Sequence, residues 1–166
     1  MISFEECVKD VINNTKVQSL DNYSQHLCTS PLGHSVDVAK ITHKICAYLR
    51  LDDNRIKEAV IAALLHDLFL YDWRECHSSK EHTFAHAKNA CLNAKEIIDL
   101  SKKQENIILS HMFPLCVELP NSLEAWIVQY ADKVSAIKDF LRQGRVYSLQ
   151  LKPFFFLFNL CIILPF

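Results

Sequence analysis

Apolar residues recur at intervals of three and four positions along most of the chain, and no segment alternates strictly between apolar and polar residues. The first spacing places apolar side chains on one face of an α-helix, whereas strict alternation is typical of a half-buried strand. The pattern therefore predicts an all-α helical bundle. Together with the capping residues, it predicts a loop over 29–33, helices beginning at about Ser3, Ser78 and Ser101, the last of them ending near His111, and helices over 34–49, 55–68 and 121–144.

The last predicted helix carries an apolar stripe with the spacing of a single helix face. Asp132 lies beside this stripe, on the side expected to face the core, and Gly144 is a natural helix stop. The stripe consists of Leu123, Ile127, Tyr130, Val134, Ile137 and Leu141.

The end of the sequence differs in style from the rest, because residues 153–166 contain no charge at all. The segment is shorter than the roughly 18–20 apolar residues that a membrane span needs. A packed core segment is the favoured interpretation, ahead of a non-native or truncated terminus and of a membrane tether. We therefore predict one domain over residues 1–146, followed by an apolar tail over 147–166 whose role the sequence leaves open.

Composition and charge narrow the class of protein. The 166 residues are sufficient for one domain with a real core, and the scarcity of glycine, two in all, disfavours an antiparallel sheet with its many turns. A net charge of −1 gives no basic surface for nucleic acid. No nucleic-acid partner is expected, membrane association is not expected, and a homo-oligomer is compatible with the sequence.

The seven cysteines indicate the compartment. They are odd in number and no two are spaced as C-x-x-C, which disfavours both a disulfide framework and a zinc ribbon. The acidic residues Glu5 and Glu6 stand where a secretion signal would have a basic start. A cytoplasmic protein with reduced thiols is the expected case.

The pair His66-Asp67 closes the most apolar predicted helix. Adjacent residues on a helix point about 100° apart, so both side chains can converge on one metal ion only where the helix ends. Burying two such polar groups is costly unless they are paired or bind a metal. Taken alone, the pair is explained better by a buried histidine–aspartate hydrogen bond at a helix end.

Four further helices carry residues that could join this pair. His34 lies on the core-facing stripe of its helix, His82 and His86 share one face of theirs, His111 ends a helix, and Asp132 lies near the core. Each one alone is more often a satisfied polar residue than a metal ligand. Their joint placement favours a metal centre.

The other three histidines lack such a context. His43 falls on the helix side opposite His34 and is predicted to be solvated. His77 lies in a predicted connection. His26 could support the site from outside the ligand sphere, although a surface position is at least as compatible with the sequence.

The ordered set of these residues resembles the HD-domain superfamily of metal-dependent phosphohydrolases, over roughly residues 20–140. Further short motifs look like an uncharacterised bacterial branch of that superfamily. The resemblance rests on His34, His66-Asp67, His86, His111 and Asp132, together with Gln25-His26, Thr29-Ser30, Ala62-Ala63-Leu64-Leu65, Phe69-Leu70-Tyr71-Asp72-Trp73, Asn89-Ala90, Met112-Phe113-Pro114-Leu115 and Lys133.

The resemblance implies a helical domain with a buried site for one or two divalent metal ions. His34, His66, Asp67 and Asp132 would hold the first ion, and His86 and His111 would hold the second, with Asp67 as a bridge. Mixed imidazole and carboxylate ligands suit Mn, Fe, Zn, Ni or Co. Two such ions about 3.5–4 Å apart can activate a bridging water and bind the phosphoryl oxygens.

The implied function is hydrolysis of a phosphate ester in a small metabolite or nucleotide, with Asp67 and His66 as catalytic residues. Lys133 would meet the substrate phosphate, or would simply be a surface lysine. The basic residue that many relatives carry soon after the aspartate is replaced here by Leu68-Phe69-Leu70. Two alternatives remain open: an HD-fold di-iron oxygenase, and a non-catalytic, metal-stabilised nucleotide-binding or regulatory module.

Overall fold

The computed structural model describes residues 1–22, 30–71 and 79–143, without the side chains of 79–84 and 142–143. Over these residues the regular structure is entirely helical, as predicted. A short 3₁₀ helix, Ser19–Asn22, follows the second of the α-helices. These are α1 Phe4–Val8, α2 Thr15–Gln18, α3 Pro31–Tyr48, α4 Asp53–Leu65, α5 Ser79–Lys95, α6 Lys102–Ser110 and α7 Leu123–Gln143.

Side-chain caps set several of the helix starts. The Ser3 hydroxyl accepts a hydrogen bond from the Glu6 amide at the start of α1. At the start of α6 both bonds of the predicted capping box between Ser101 and Gln104 are formed. These caps satisfy amide groups that a helix cannot pair internally. The predicted starts at Ser3 and Ser101 are therefore confirmed.

Two predicted boundaries are wrong. Helix α3 begins at Pro31, inside the segment predicted as a loop, because the Ser30 hydroxyl caps the Gly33 amide and proline suits the first helical position. Helix α4 ends at Leu65, three residues earlier than predicted, and the four residues that follow it, through Phe69, are still buried.

Helix α4 lies at the centre of the bundle and contacts α1, α3, α5, α6 and α7. Its residues from Ala59 to Leu65 are all buried, which explains why the sequence there lacks a polar face. The principal remaining contacts are those of α7 with α3 and α6, and of α5 with α6. The end of α4 is consequently surrounded by other helices.

Helix α7 corrects the prediction for its apolar stripe. Leu123, Tyr130 and Leu141 are 47%, 54% and 57% exposed, whereas the buried face includes Ala125 and Val128. The sequence pattern located an apolar face, but α7 has apolar residues on two opposite faces and periodicity alone does not say which one packs inward. The exposed face, named here the outer stripe, consists of Leu123, Trp126, Tyr130, Val134, Ile137 and Leu141.

None of the helices in the described part of the chain is long and apolar enough to cross a membrane. The apolar tail over 147–166 lies outside the described residues, as do Gly144 and the predicted helix start at Ser78. The domain boundary after residue 146 therefore stays a prediction.

A buried carboxylate ties three helices together away from the histidines. Glu124, on α7, is 1% exposed. Its Oε1 accepts hydrogen bonds from Arg55 Nε on α4 at 2.7 Å and from Lys103 Nζ on α6 at 3.2 Å. The hydrogen bond from Arg55, aided by Lys103, outweighs burial and lowers the pKa of Glu124 to about 2.

We expect the Glu124→Gln variant to lose about 1–3 kcal/mol of stability at pH 7, toward the lower figure because both partners are partly exposed. A carboxylate with a lowered pKa stabilises the fold above its unfolded pKa and loses that contribution as the pH falls through the folded value. The deficit should therefore be full at pH 7 and smaller at pH 3.5. Urea denaturation of both proteins at the two pH values measures it, and an equal deficit at both would contradict the charge-based account.

Candidate metal centre

Histidines and aspartates from five helices or helix ends meet beside the end of α4. His34 comes from the first turn of α3 and His66-Asp67 from the residues directly after α4. The remaining three are His86 on α5, His111 directly after α6, and Asp132 on α7. The four histidines and Asp67 are buried, and the Asp132 side chain is only 15% exposed.

The first cluster comprises His34, His66 and Asp132. One oxygen of Asp132, Oδ1, lies 3.0 Å from His34 Nε2 and 3.7 Å from His66 Nε2. Each of the three residues presents one ligand atom, and these atoms lie within 4.8 Å of one another. The separations are those of groups that can share one cation.

The second cluster lies on the other side of Asp67. His111 Nε2 is 3.5 Å and His86 Nε2 is 3.8 Å from Asp67 Oδ1, whereas Asp67 Oδ2 lies 3.5 Å from His66 Nε2. The two carboxylate oxygens therefore face different histidines. A carboxylate placed in this way could bind one cation on each side, and the bridging role of Asp67 stays a prediction.

Hydrogen bonds to the backbone orient two of the imidazoles. His66 Nδ1 lies 2.7 Å from the carbonyl oxygen of Ala63, and His111 Nδ1 lies 2.6 Å from that of Ile108. In each case Nδ1–H donates to the carbonyl three residues earlier, so Nε2 points into the cluster, where its lone pair is available to a metal ion once the proton on Nε2 is lost. Both residues follow a helix end in helical conformation, which brings the ring close to that carbonyl.

These donors fit a divalent metal ion. His66 Nε2 is buried and has no hydrogen-bond partner among the described residues, yet it lies between two carboxylates. His86 Nε2 and His111 Nε2 face each other at 2.9 Å, and two such nitrogens require a proton or a cation between them. Imidazole nitrogens with carboxylate oxygens suit Mn, Fe, Zn, Ni or Co.

Charge balance within the clusters shifts the pKa values in opposite directions. Burial alone would lower the pKa of His66, but the charges of Asp67 and Asp132 outweigh it and raise that pKa to about 9. The pKa of His34 is also raised, because the hydrogen bond and the charge of Asp132 outweigh burial. Burial is likewise outweighed at Asp67 and Asp132, whose pKa values the histidines hold well below the ordinary range. Two carboxylates thus keep positive charge at this position.

Asp139 is a neighbour of the site that the sequence reasoning missed. This buried carboxylate lies seven residues after Asp132, two turns along the same face of α7. Its Oδ2 is 3.5 Å from His34 Nδ1, while Asp132 contacts Nε2 of the same ring. The seven-residue spacing of the two aspartates was the available signal. A carboxylate behind a ligand histidine fixes the ring and favours the Nε2 lone pair.

We expect the Asp139→Asn variant to bind metal about 10- to 100-fold more weakly, as for other groups that support a ligand histidine. The amide keeps the size of the side chain but removes the charge behind His34. Competition with a fluorescent chelator measures the affinity, and circular dichroism checks the fold. Parent-like affinity would show that Asp139 serves packing alone.

The remaining predicted residues have separate environments. Lys133 Nζ donates to the carbonyl oxygen of Phe113 at 3.2 Å. The prediction that His43 is solvated is wrong: its ring is half-buried, packs edge-on against Phe4, and lies 3.0 Å from the carbonyl oxygen of Ile2, because the N-terminal segment covers that side of α3. His26 and His77 lie outside the described residues, and the His82 side chain is not described.

The fold and the site define an all-helical domain with a buried histidine–aspartate centre suited to divalent metal. The HD domain family model matches residues 32–137, more than half of the chain. The protein therefore belongs to the HD domain family, whose members bind divalent metals and are mostly metal-dependent phosphohydrolases. Neither the curated proteins nor the solved structures contain a significant match to this chain.

Proposed function

We propose that this protein is a metal-dependent phosphohydrolase that cleaves the phosphate ester of a small metabolite or nucleotide. The observation that carries the proposal is the position of Asp67, with one oxygen toward His66 and the other toward His86 and His111. Such an arrangement suits two adjacent ions. Divalent ions bound there would supply a nucleophilic water at neutral pH and polarise the phosphoryl oxygens.

Six side chains would bind the metal ions, and backbone carbonyl groups orient two of these side chains. His34, His66 and Asp132 form one side, His86 and His111 form the other, and Asp67 joins them. Hydrogen bonds to the carbonyl groups of Ala63 and Ile108 keep two of the imidazoles in the tautomer that presents Nε2. The side chains are thus positioned before the substrate arrives, which favours catalysis because no reorganisation is needed.

The positive charge that meets the substrate phosphate is assigned to Lys133. Leu68, Phe69 and Leu70, directly after Asp67, are uncharged, and the first two are buried, so these three residues offer no cation. Lys133 follows Asp132 directly, and its ammonium group has three donors. Its positive charge and its place in the chain beside Asp132 support this assignment.

The proposed partner is a small phosphorylated molecule, because the ligand groups are buried between helices and the net charge of −1 does not favour nucleic acid. We propose a cytoplasmic location on the reduced thiols: Cys7, Cys46, Cys91 and Cys116 are free. Self-association is compatible with this function.

The test begins with metal analysis of the purified protein, followed by a screen of phosphorylated metabolites and nucleotides with added Mn²⁺. Phosphate release and oxygen consumption are recorded together, and the Asp67→Asn variant is the control. Metal-dependent phosphate release that the variant lacks would support the proposal. Oxygen consumption by an iron-loaded protein would favour a di-iron oxygenase instead. Nucleotide binding without turnover would favour a regulatory module.

A further inference from the structure

The outer stripe of α7 lies opposite the face that forms the metal centre. At 100° per residue its six members fall within a sector about 80° wide, and the centre of this sector lies roughly 160° or more from Asp132 and Asp139. Leu123, Trp126, Tyr130 and Leu141 are 47%, 46%, 54% and 57% exposed, and Val134 and Ile137 are partly exposed. Helix α7 is therefore apolar both toward the core and away from it.

A helix with apolar residues on both faces is normally covered on both. Isolated exposed apolar side chains are ordinary, but a continuous row over five turns marks a surface that another element contacts. Among the described residues, α7 packs against α3, α4 and α6. The exposure of the stripe shows that these helices leave its outer face uncovered.

The same chain contains an apolar segment that needs a surface to pack against. Residues 153–166 carry no charge and include five phenylalanines, three leucines and two isoleucines. Such a segment is strongly disfavoured in water. It follows the end of α7 after only nine intervening residues, 144–152, which begin with Gly144, a residue type that readily reverses the chain after a helix.

The length of the apolar segment also matches the length of the outer stripe. From Leu123 to Leu141 the stripe extends about 27 Å, at 1.5 Å per residue. Fourteen residues cover about 21 Å as a helix and up to roughly 46 Å when extended. The segment is long enough to cover most or all of the stripe in either form.

We propose that residues 153–166 pack against the outer stripe of α7 within the same chain. The short connection keeps the segment at a high local concentration near α7, which favours contact within one chain over contact between two copies. The segment then belongs to the domain as a covering element and is neither a membrane tether nor a passive tail.

The test uses the full chain and limited digestion with chymotrypsin, because the segment contains a run of phenylalanine cleavage sites. Mass spectrometry follows cleavage after Phe154, Phe155, Phe156 and Phe158 in the parent protein and in a Tyr130→Glu, Leu141→Glu double variant. Two charges on the outer stripe should release the segment and speed its cleavage by roughly tenfold or more, since cleavage tracks the population of the open form. Tyr48→Glu is the matched control, because Tyr48 is 86% exposed on another helix, and it should digest like the parent.

A second measurement is independent of the double variant and of its folding. In a Trp73→Phe background Trp126 is the sole tryptophan, and acrylamide quenching reports its access to solvent. Trp126 should be well shielded in the otherwise unaltered protein. Quenching as strong as the 46% exposed fraction of Trp126 implies would overturn the proposal, and so would rapid cleavage of the segment in the parent.

Two further outcomes would also overturn it. Shielding that depends on protein concentration, together with a dimer in light scattering, would show that a second copy covers the stripe. Flotation of the parent with phosphatidylcholine vesicles, accompanied by protection of the segment only when vesicles are present, would assign it to a lipid surface. A monomer with concentration-independent protection and no flotation supports the packing within one chain.

Discussion

The Asp67→Asn variant is expected to lose most of its bound metal and at least about a thousandfold in hydrolysis, because stabilisation of transition-state charge by the metals is worth several kcal/mol and each 1.36 kcal/mol is a factor of ten. Asparagine has the same shape as aspartate but offers one neutral oxygen. It cannot place one anionic oxygen toward His66 and the other toward His86 and His111, as Asp67 does.

Metal content by plasma mass spectrometry and phosphate release check this result. His43→Ala is the matched control, since His43 is a half-buried histidine on α3 that contacts the carbonyl oxygen of Ile2 and lies outside the clusters. The control should keep the metal content of the parent. A fully metal-loaded Asp67→Asn protein would rule out the bridging role of this carboxylate.

Replacing either His86 or His111 by alanine should remove one ion and lower activity far more than it lowers stability. Neither histidine belongs to the cluster of His34, His66 and Asp132, so that cluster keeps its ligands. The lost packing and hydrogen bonding still have a cost: the Ile108 carbonyl loses the donor supplied by His111, and an unsatisfied buried group costs about 1–3 kcal/mol. The loss of activity should nevertheless be larger than a loss of stability of about 1–3 kcal/mol would cause.

Melting temperature, metal stoichiometry and turnover, measured on the same preparations, separate the two roles. If the two histidines serve the core alone, their replacement should chiefly unfold the protein and leave the metal content of the folded fraction unchanged. Unchanged stoichiometry in a folded, less active variant would support a centre with one ion. His43→Ala again provides the comparison for loss of a histidine elsewhere.

The sequence by itself determined most of the helices, because their signals are local. Ser3 and Ser101 cap amides within three residues. The spacing of apolar residues likewise depends only on the residues of the helix itself. The same holds for His66 and His111: each follows a helix end, where a ring can reach the carbonyl three residues earlier. The resemblance to the HD family then selected six ligand candidates, and the structure brings all six together.

Only the tertiary structure decided how distant parts of the chain meet. The contact between His34 and Asp132 spans 98 residues, and the position of Asp139 behind His34 depends on how α7 crosses α3. The burial of His43 depends on the N-terminal segment, and the orientation of α7 determines which of its two apolar faces is the outer stripe. Local periodicity does not predict these features. Helix orientation is set by packing over the whole core, where the contacts join residues far apart in sequence.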